Sequence, residues 1–99
     1  MIEHARKVSA LLKAIANENR LIILCVLLEK ELSVNEIHNY VPNITQPALS
    51  QHLNYLLKHE CIKCRKDGQH VLYSIKDEYL KALFNTIKKE YCQSDTTFK

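Results

Sequence analysis

Apolar positions along the chain recur first at helical spacing. Ala5, Val8, Leu11, Leu12 and Ile15 share a stripe, with Glu3, Arg6, Lys7 and Lys13 between them, and this pattern predicts an amphipathic helix from Ile2 to about Ile15. The following run, Leu21 to Leu28, is apolar on every face, as a central buried helix requires. Asn17 before it is a natural N-cap, and Arg20 and Glu29 at its ends favour helix over a β-branched strand. Ser33-Val34-Asn35-Glu36 has the S-x-x-E form of a capping box, so a short third helix is expected to about Tyr40, where Pro42 stops it. Thr45 caps a fourth helix, with Pro47 in its first turn and Ala48, Leu49, Leu53, Leu56 and Leu57 carrying it to about His59.

The period then changes from helical to alternating. Ile62–Lys66 and His70–Ile75 read as strands joined at Asp67-Gly68, a strong hairpin signal. Asp77 caps a last helix, with Leu80, Leu83, Phe84, Ile87 and Tyr91 on one stripe, and the polar end, residues 93–99, is expected to be a flexible tail. The predicted class is mainly α with a small β-hairpin wing. Four helices, a hairpin and a helix make the order of a winged helix-turn-helix, in one domain spanning residues 1–92.

Composition agrees with this order. A chain of 99 residues, 46% hydrophobic, with one Gly and two Pro, is long enough for one core and too poor in turn residues for an all-β fold. The formal charge of +3 is modest and its acidic residues are interspersed, so charge alone names no partner. The opening MIEHARKVSA has no signal-like apolar core, and no run approaches the ~18 apolar residues of a membrane span, so a cytoplasmic location is expected. In that compartment the four cysteines point to metal binding, redox sensing or core filling before a structural disulfide.

The polar positions of the fourth helix supply candidate chemistry. With its leucines turned inward, Gln46, Ser50 and Asn54 line up at i, i+4 and i+8, flanked by Gln51, Tyr55 and Lys58. Such side chains hydrogen-bond base edges or phosphates; the plainer reading is an ordinary solvated face. Lys63, Arg65 and Lys66 make the hairpin basic beside its turn. The expected contacts to double-stranded DNA are Thr45, Gln46, Pro47, Ser50, Gln51, His52 and Asn54 on the helix, with Lys63, Arg65, Lys66 and Gln69 on the wing. No recognisable catalytic constellation or glycine-rich phosphate loop is present, and neither an enzyme nor a cofactor is expected.

Four blocks carry a family resemblance: Leu12–Leu24, Glu31–Ile37, Gln46–Leu53, and Arg65-Lys66-Asp67-Gly68-Gln69 with Tyr73. Together they resemble the ArsR/SmtB family of bacterial winged-helix repressors over residues 5–92. The resemblance implies a homodimer through the first and last helices, burying Ala5, Val8 and Leu12 with Leu80, Leu83 and Ile87, and binding to a pseudo-palindromic promoter site that an inducer reverses. One position departs from it: His59-Glu60 stands where relatives close the fourth helix with Gly.

Metal-sensing relatives carry cysteines in an E-L-C-V-C motif or Asp/His pairs on the last helix. Here Glu31-Leu32-Ser33-Val34-Asn35 has no Cys and Asp77–Cys92 has no His, so both familiar metal sites are missing from the sequence. His4, His38, His52, His59 and His70 read as surface or DNA-proximal side chains. Taken on its residues alone, Cys25 in an apolar helix is more simply core than reactive, whereas Cys92 stands beside a polar tail with Lys88 and Lys89 one turn back. Ile23-Leu24-Cys25-Val26-Leu27-Leu28 and Tyr91-Cys92 also resemble the thiol- and sulfide-sensing BigR/SqrR/HlyU-like branch. That likeness implies that Cys25 and Cys92 of one subunit join through a disulfide or polysulfide and the repressor leaves its promoter. A metal-responsive repressor with a non-standard Cys/His set, and a protein-interaction winged helix, stay open beside it. Cys61 and Cys64 form a C-x-x-C, but residues three apart on a strand face opposite ways, so Cys61 is expected in the core and Cys64 on the wing surface.

Overall fold

The computed structural model describes residues 2–91. Cys92 and the expected tail, residues 93–99, lie outside the described residues. The order is α1 (Ile2–Ile15), α2 (Glu18–Glu29), β1 (Leu32–Ser33), α3 (Val34–His38), α4 (Gln46–Lys58), β2 (Ile62–Asp67), β3 (His70–Ile75) and α5 (Glu78–Tyr91). It is the winged helix-turn-helix order expected, with one strand more.

The caps hold the helices where their sequences start them. Asn17 Oδ1 accepts from the Arg20 amide at 3.1 Å, Thr45 Oγ1 from Ala48 at 3.2 Å and Asp77 Oδ1 from Leu80 at 2.9 Å. At α3 both halves of the capping box form, Ser33 Oγ accepting from the Glu36 amide and Glu36 Oε1 from the Ser33 amide. Those hydrogen bonds hold the Glu36 carboxyl below its usual range. The third helix ends earlier than its apolar spacing predicts. After His38 the chain tightens into i→i−3 bonds, Asn39 to Glu36, Tyr40 to Ile37 and Val41 to His38, which draw Val41 into the core.

α4 closes without glycine. Glu60 takes φ +64°, and the Glu60 and Cys61 amides donate to the Leu57 and Leu56 carbonyls at 3.1 and 2.9 Å. This is a Schellman ending with Glu60 in the left-handed position, so the departure at His59-Glu60 leaves the geometry intact at the cost of local strain. Glu60 also forms an ion pair with Lys76 at the far end of the hairpin.

The sheet has strand order β1-β3-β2 and is antiparallel throughout. β1 is the strand that sequence patterning does not predict: two residues long, it carries no alternation signal and exists because β3 offers it an edge. The hairpin turn also falls one residue later than expected. Asp67 pairs with His70, leaving Gly68-Gln69 as the loop. Gly68 has φ +67° and Gln69 is not among the positive-φ residues, the pattern of a type II′ turn, whose first loop position glycine alone enters at little cost.

α2, α4 and α5 meet around one core. Ile23, Leu24 and Leu27 of α2 pack with Leu49, Leu53 and Leu56 of α4 and with Leu80 and Phe84 of α5, closed by Ile37, Val41, Ile62 and Ile75. No polar side chain is buried among the described residues. The stripe on α5 is shared: Leu80 is fully buried in its own chain's core, while Leu83 and Ile87 are half-buried against that core and keep part of their surface open. α1 is the helix left open, with Val8 at 50% and Leu12 at 49% exposure, above a groove that also touches Tyr79 at the start of α5.

Candidate nucleic-acid interface and thiol sites

α3 and α4 form the helix-turn-helix, and the turn between them is braced. The His38 ring nitrogen Nε2 lies 2.8 Å from the Ile44 carbonyl oxygen, which only accepts, so Nε2 carries the hydrogen and donates. His38 is thus half-buried and structural rather than DNA-proximal.

On α4 the inward and outward faces separate cleanly. Leu49, Leu53 and Leu56 are buried, while Thr45, Gln46, Pro47, Ser50, Gln51 and Asn54 are exposed together along the opposite side. His52 of the expected set, and Tyr55 that flanks the row, are elsewhere. Tyr55 is half-buried with the Arg20 guanidinium 4.2 Å above its ring centre, and the centre of the His59 ring, tilted against it, lies 4.4 Å away. His52 is also half-buried, its Nδ1 3.4 Å from an Arg20 nitrogen. Burial first, and the Arg20 charge second, lower the His52 pKa from its usual value, so it enters this contact as a neutral ring.

Arg20 is the residue that sequence reading undervalues. Its Nε donates to the Ala14 carbonyl at 2.6 Å, and Nη2 reaches the Lys13 carbonyl at 3.5 Å. One guanidinium therefore caps the end of α1 while holding the inner flank of α4 through His52 and Tyr55. Only its place at the edge of an apolar run, among residues with no use for a charge, hints at this in the sequence.

The wing presents Lys63, Lys66 and Gln69 to solvent. Arg65 is exposed too, yet committed: Nε and Nη2 donate to the two carboxylate oxygens of Glu31 at 2.9 and 2.7 Å. The Arg65 hydrogen bond holds the Glu31 carboxyl below its usual range, with the Arg65 and Lys63 charges adding to it, and raises the Arg65 pKa in return.

The cysteines divide as their positions suggest. Cys61 is fully buried, its Sγ 3.8 Å from the His59 carbonyl; burial pushes its thiol pKa up, with Asp77 adding to that and Arg20 opposing it. Cys61 precedes β2 as the last residue of the Schellman ending, and Cys64 is exposed mid-strand, so the two do not converge. Cys25 is half-buried on α2. Its sequence-predicted partner, Cys92, lies outside the described residues; four positions before it, Lys88 of α5 forms an ion pair with Glu29 of α2, four positions after Cys25. Among the described residues no three His, Cys, Asp or Glu side chains gather as metal ligands, and no helix is long and apolar enough to cross a membrane.

The family described as bacterial regulatory protein, ArsR family, matches residues 17–63. The transcriptional activator HlyU of Vibrio cholerae serotype O1 is 41% identical, over 96% of this chain and 87% of its own. The biofilm growth-associated repressor of Xylella fastidiosa is 30% identical, over 96% and 82%. Among solved structures, reduced HlyU from Vibrio cholerae N16961 superposes with a TM-score of 0.87, covering 93% of this chain and 96% of that one. The transcriptional repressor BigR from Xylella fastidiosa superposes at 0.83, with 30% identity and 93% of each chain covered. A homodimeric winged helix-turn-helix DNA-binding domain from Mycobacterium bovis superposes at 0.76 with 26% identity, covering 88% of this chain and 80% of that one. With α3 and α4 forming the helix pair, β2 and β3 the wing, and relatives alike over nearly the whole length, the chain belongs to the bacterial ArsR family of winged helix-turn-helix transcriptional regulators.

Proposed function

We propose that the chain is a homodimeric, DNA-binding repressor, released from its promoter when Cys25 and Cys92 of one subunit are joined in response to reactive sulfur species or oxidants. The observation that carries the DNA-binding half is the exposed polar row Gln46, Ser50, Asn54 on α4, backed by a buried leucine face and flanked by the basic wing. That arrangement fits α4 in the major groove and Lys63 and Lys66 on phosphates, with Thr45, Pro47, Gln51 and Gln69 at the margins. The open apolar face of α1, with Val8 and Leu12 half exposed, supports pairing of two copies through the first helix, and the last helix beside it completes that interface.

The thiol half rests on Cys25 being half-buried rather than sealed in the core, and on the Glu29–Lys88 pair that ties α2 to α5. With peroxide, the two thiols give up two electrons and two protons to form one S–S bond, and the oxidant leaves as two waters. With a persulfide, one thiolate takes the sulfane sulfur and releases the carrier thiol; the second thiolate then displaces hydrosulfide to leave the same disulfide. A covalent tie from Cys25 of α2 to Cys92, the residue that follows α5 in the chain, shifts the frame that carries both copies of α4, whose spacing has to match half-sites about one DNA turn apart.

The test is promoter binding by wild type, Cys25→Ser and Cys92→Ser, before and after a persulfide donor or peroxide. Wild type alone is expected to release DNA and to show an intramolecular Cys25–Cys92 link by mass spectrometry. Release by either serine variant sinks the thiol switch; equal affinity of the reduced protein for its upstream DNA and for random duplex sinks the repressor.

A further inference from the structure

Arg65 looks like a phosphate contact in the sequence, and its side chain is built for another task. The sheet runs β1-β3-β2, and Leu72 of β3 stands opposite both Ser33 of β1 and Arg65 of β2. Arg65 reaches over β3 and closes a two-pronged bond on Glu31, 34 residues away, in the short connection between α2 and β1. Lys63, two positions back on β2, shares the face of Arg65 and acts electrostatically on the same carboxylate. β1 and β2 lie on opposite edges of β3, so this bridge fastens the outer wing strand to the end of α2.

We propose that Glu31 is a positioning residue for the wing: it holds Arg65, and through it β2, at the angle from which Lys63 and Lys66 meet DNA, and so links the wing to the helix that carries Cys25. The inference rests on the DNA-binding reading above. Arg65 in this role neutralises no phosphate. Glu31, though an anion beside a DNA-binding surface, then favours binding by ordering that surface beforehand.

The two roles of Arg65 differ in salt dependence. A phosphate-neutralising side chain adds about 0.9 to the slope of log affinity against log salt on duplex DNA, and a positioning residue adds nothing. The experiment measures binding of the full-length reduced protein to a labelled duplex of its own upstream DNA across a salt series, for wild type, Glu31→Gln, Arg65→Gln and the double variant. Expected is a loss of about two- to fivefold for each single variant, the scale of one exposed ion pair. The double variant loses no more than either single one, because both remove the same interaction, and the salt slope stays that of wild type. Hydrogen exchange read on the free proteins gives an independent measure: wing amides from Lys63 to Val71 exchange faster in Glu31→Gln. Tighter binding by Glu31→Gln, as expected from simply deleting an anion near DNA, overturns the proposal. A slope reduced by about 0.9 in Arg65→Gln overturns it as well, by making Arg65 a phosphate contact. A wild-type chain that binds no duplex sinks the DNA-binding reading itself, whereas the other two failures sink the positioning role alone.

Discussion

Replacing Arg20 with alanine removes the side chain that joins α1 to α4. The Nε bond to the Ala14 carbonyl, at 2.6 Å, has a charged donor, and such a bond contributes about 1.5–3 kcal/mol. The guanidinium 4.2 Å over the Tyr55 ring adds about 0.5–1 kcal/mol. Because Arg20 is partly exposed, the lower ends apply, and a loss of about 2 kcal/mol is expected. For a domain of this size each kcal/mol lowers the melting temperature by about 4–8 °C. Arg20→Lys keeps the charge but not the planar fork that serves carbonyl and ring at once, and so recovers less than half of the loss. Urea denaturation at one fixed protein concentration measures both, the concentration being held because dimerisation shifts apparent stability. An Arg20→Ala loss below about 0.5 kcal/mol, or full recovery in Arg20→Lys, refutes the assignment of Arg20 as the joint.

The buried flank of His52, with the Arg20 charge beside it, gives a pH signature. The pKa of His52 is lowered in the folded state, so the unfolded chain binds the proton more readily and stability falls as pH drops below the usual histidine value near 6.5. Wild type is therefore expected to lose urea resistance between neutral pH and the lowered pKa, and His52→Gln to lose less over that interval. At the end of α4, Glu60→Gly should be about 1 kcal/mol more stable than Glu60→Ala by the same assay, because only glycine enters φ +64° freely while both variants lose the Lys76 pair. Alkylation followed by mass spectrometry should modify exposed Cys64 before buried Cys61, whose thiol is also held protonated; equal rates would place Cys61 outside the core. In the proposed interface, Asn54→Ala should cost about 1–3 kcal/mol on the specific site and relax base preference, while Lys66→Ala should weaken all duplexes alike and lower the salt slope by about 0.9, both measured by fluorescence anisotropy.

Elements were legible where the signal is local. The helical spacing of α1 and α5, the caps Asn17, Ser33, Thr45 and Asp77, and the turn signal at Gly68 all act over a few residues, and the structure keeps each of them. The exposed row on α4 was legible for the same reason, since the positions of its leucines fix which side faces out. His52 and Tyr55 were not, because they sit at the border of the two faces and a neighbour on α2 decides which way they go.

The sequence alone thus determined the order of elements, the winged helix-turn-helix they make, and a polar face on α4 beside a basic hairpin. Tertiary structure decided what joins residues far apart in the chain. β1 forms because β3 has a free edge; Arg20 faces His52, 32 positions on, and Arg65 faces Glu31, 34 positions back. No periodicity carries such pairs, since each depends on two side chains being brought within hydrogen-bond reach by the packing of everything between them. The role of Arg65 follows from that difference: its charge is written in the sequence, and its partner is supplied by the fold.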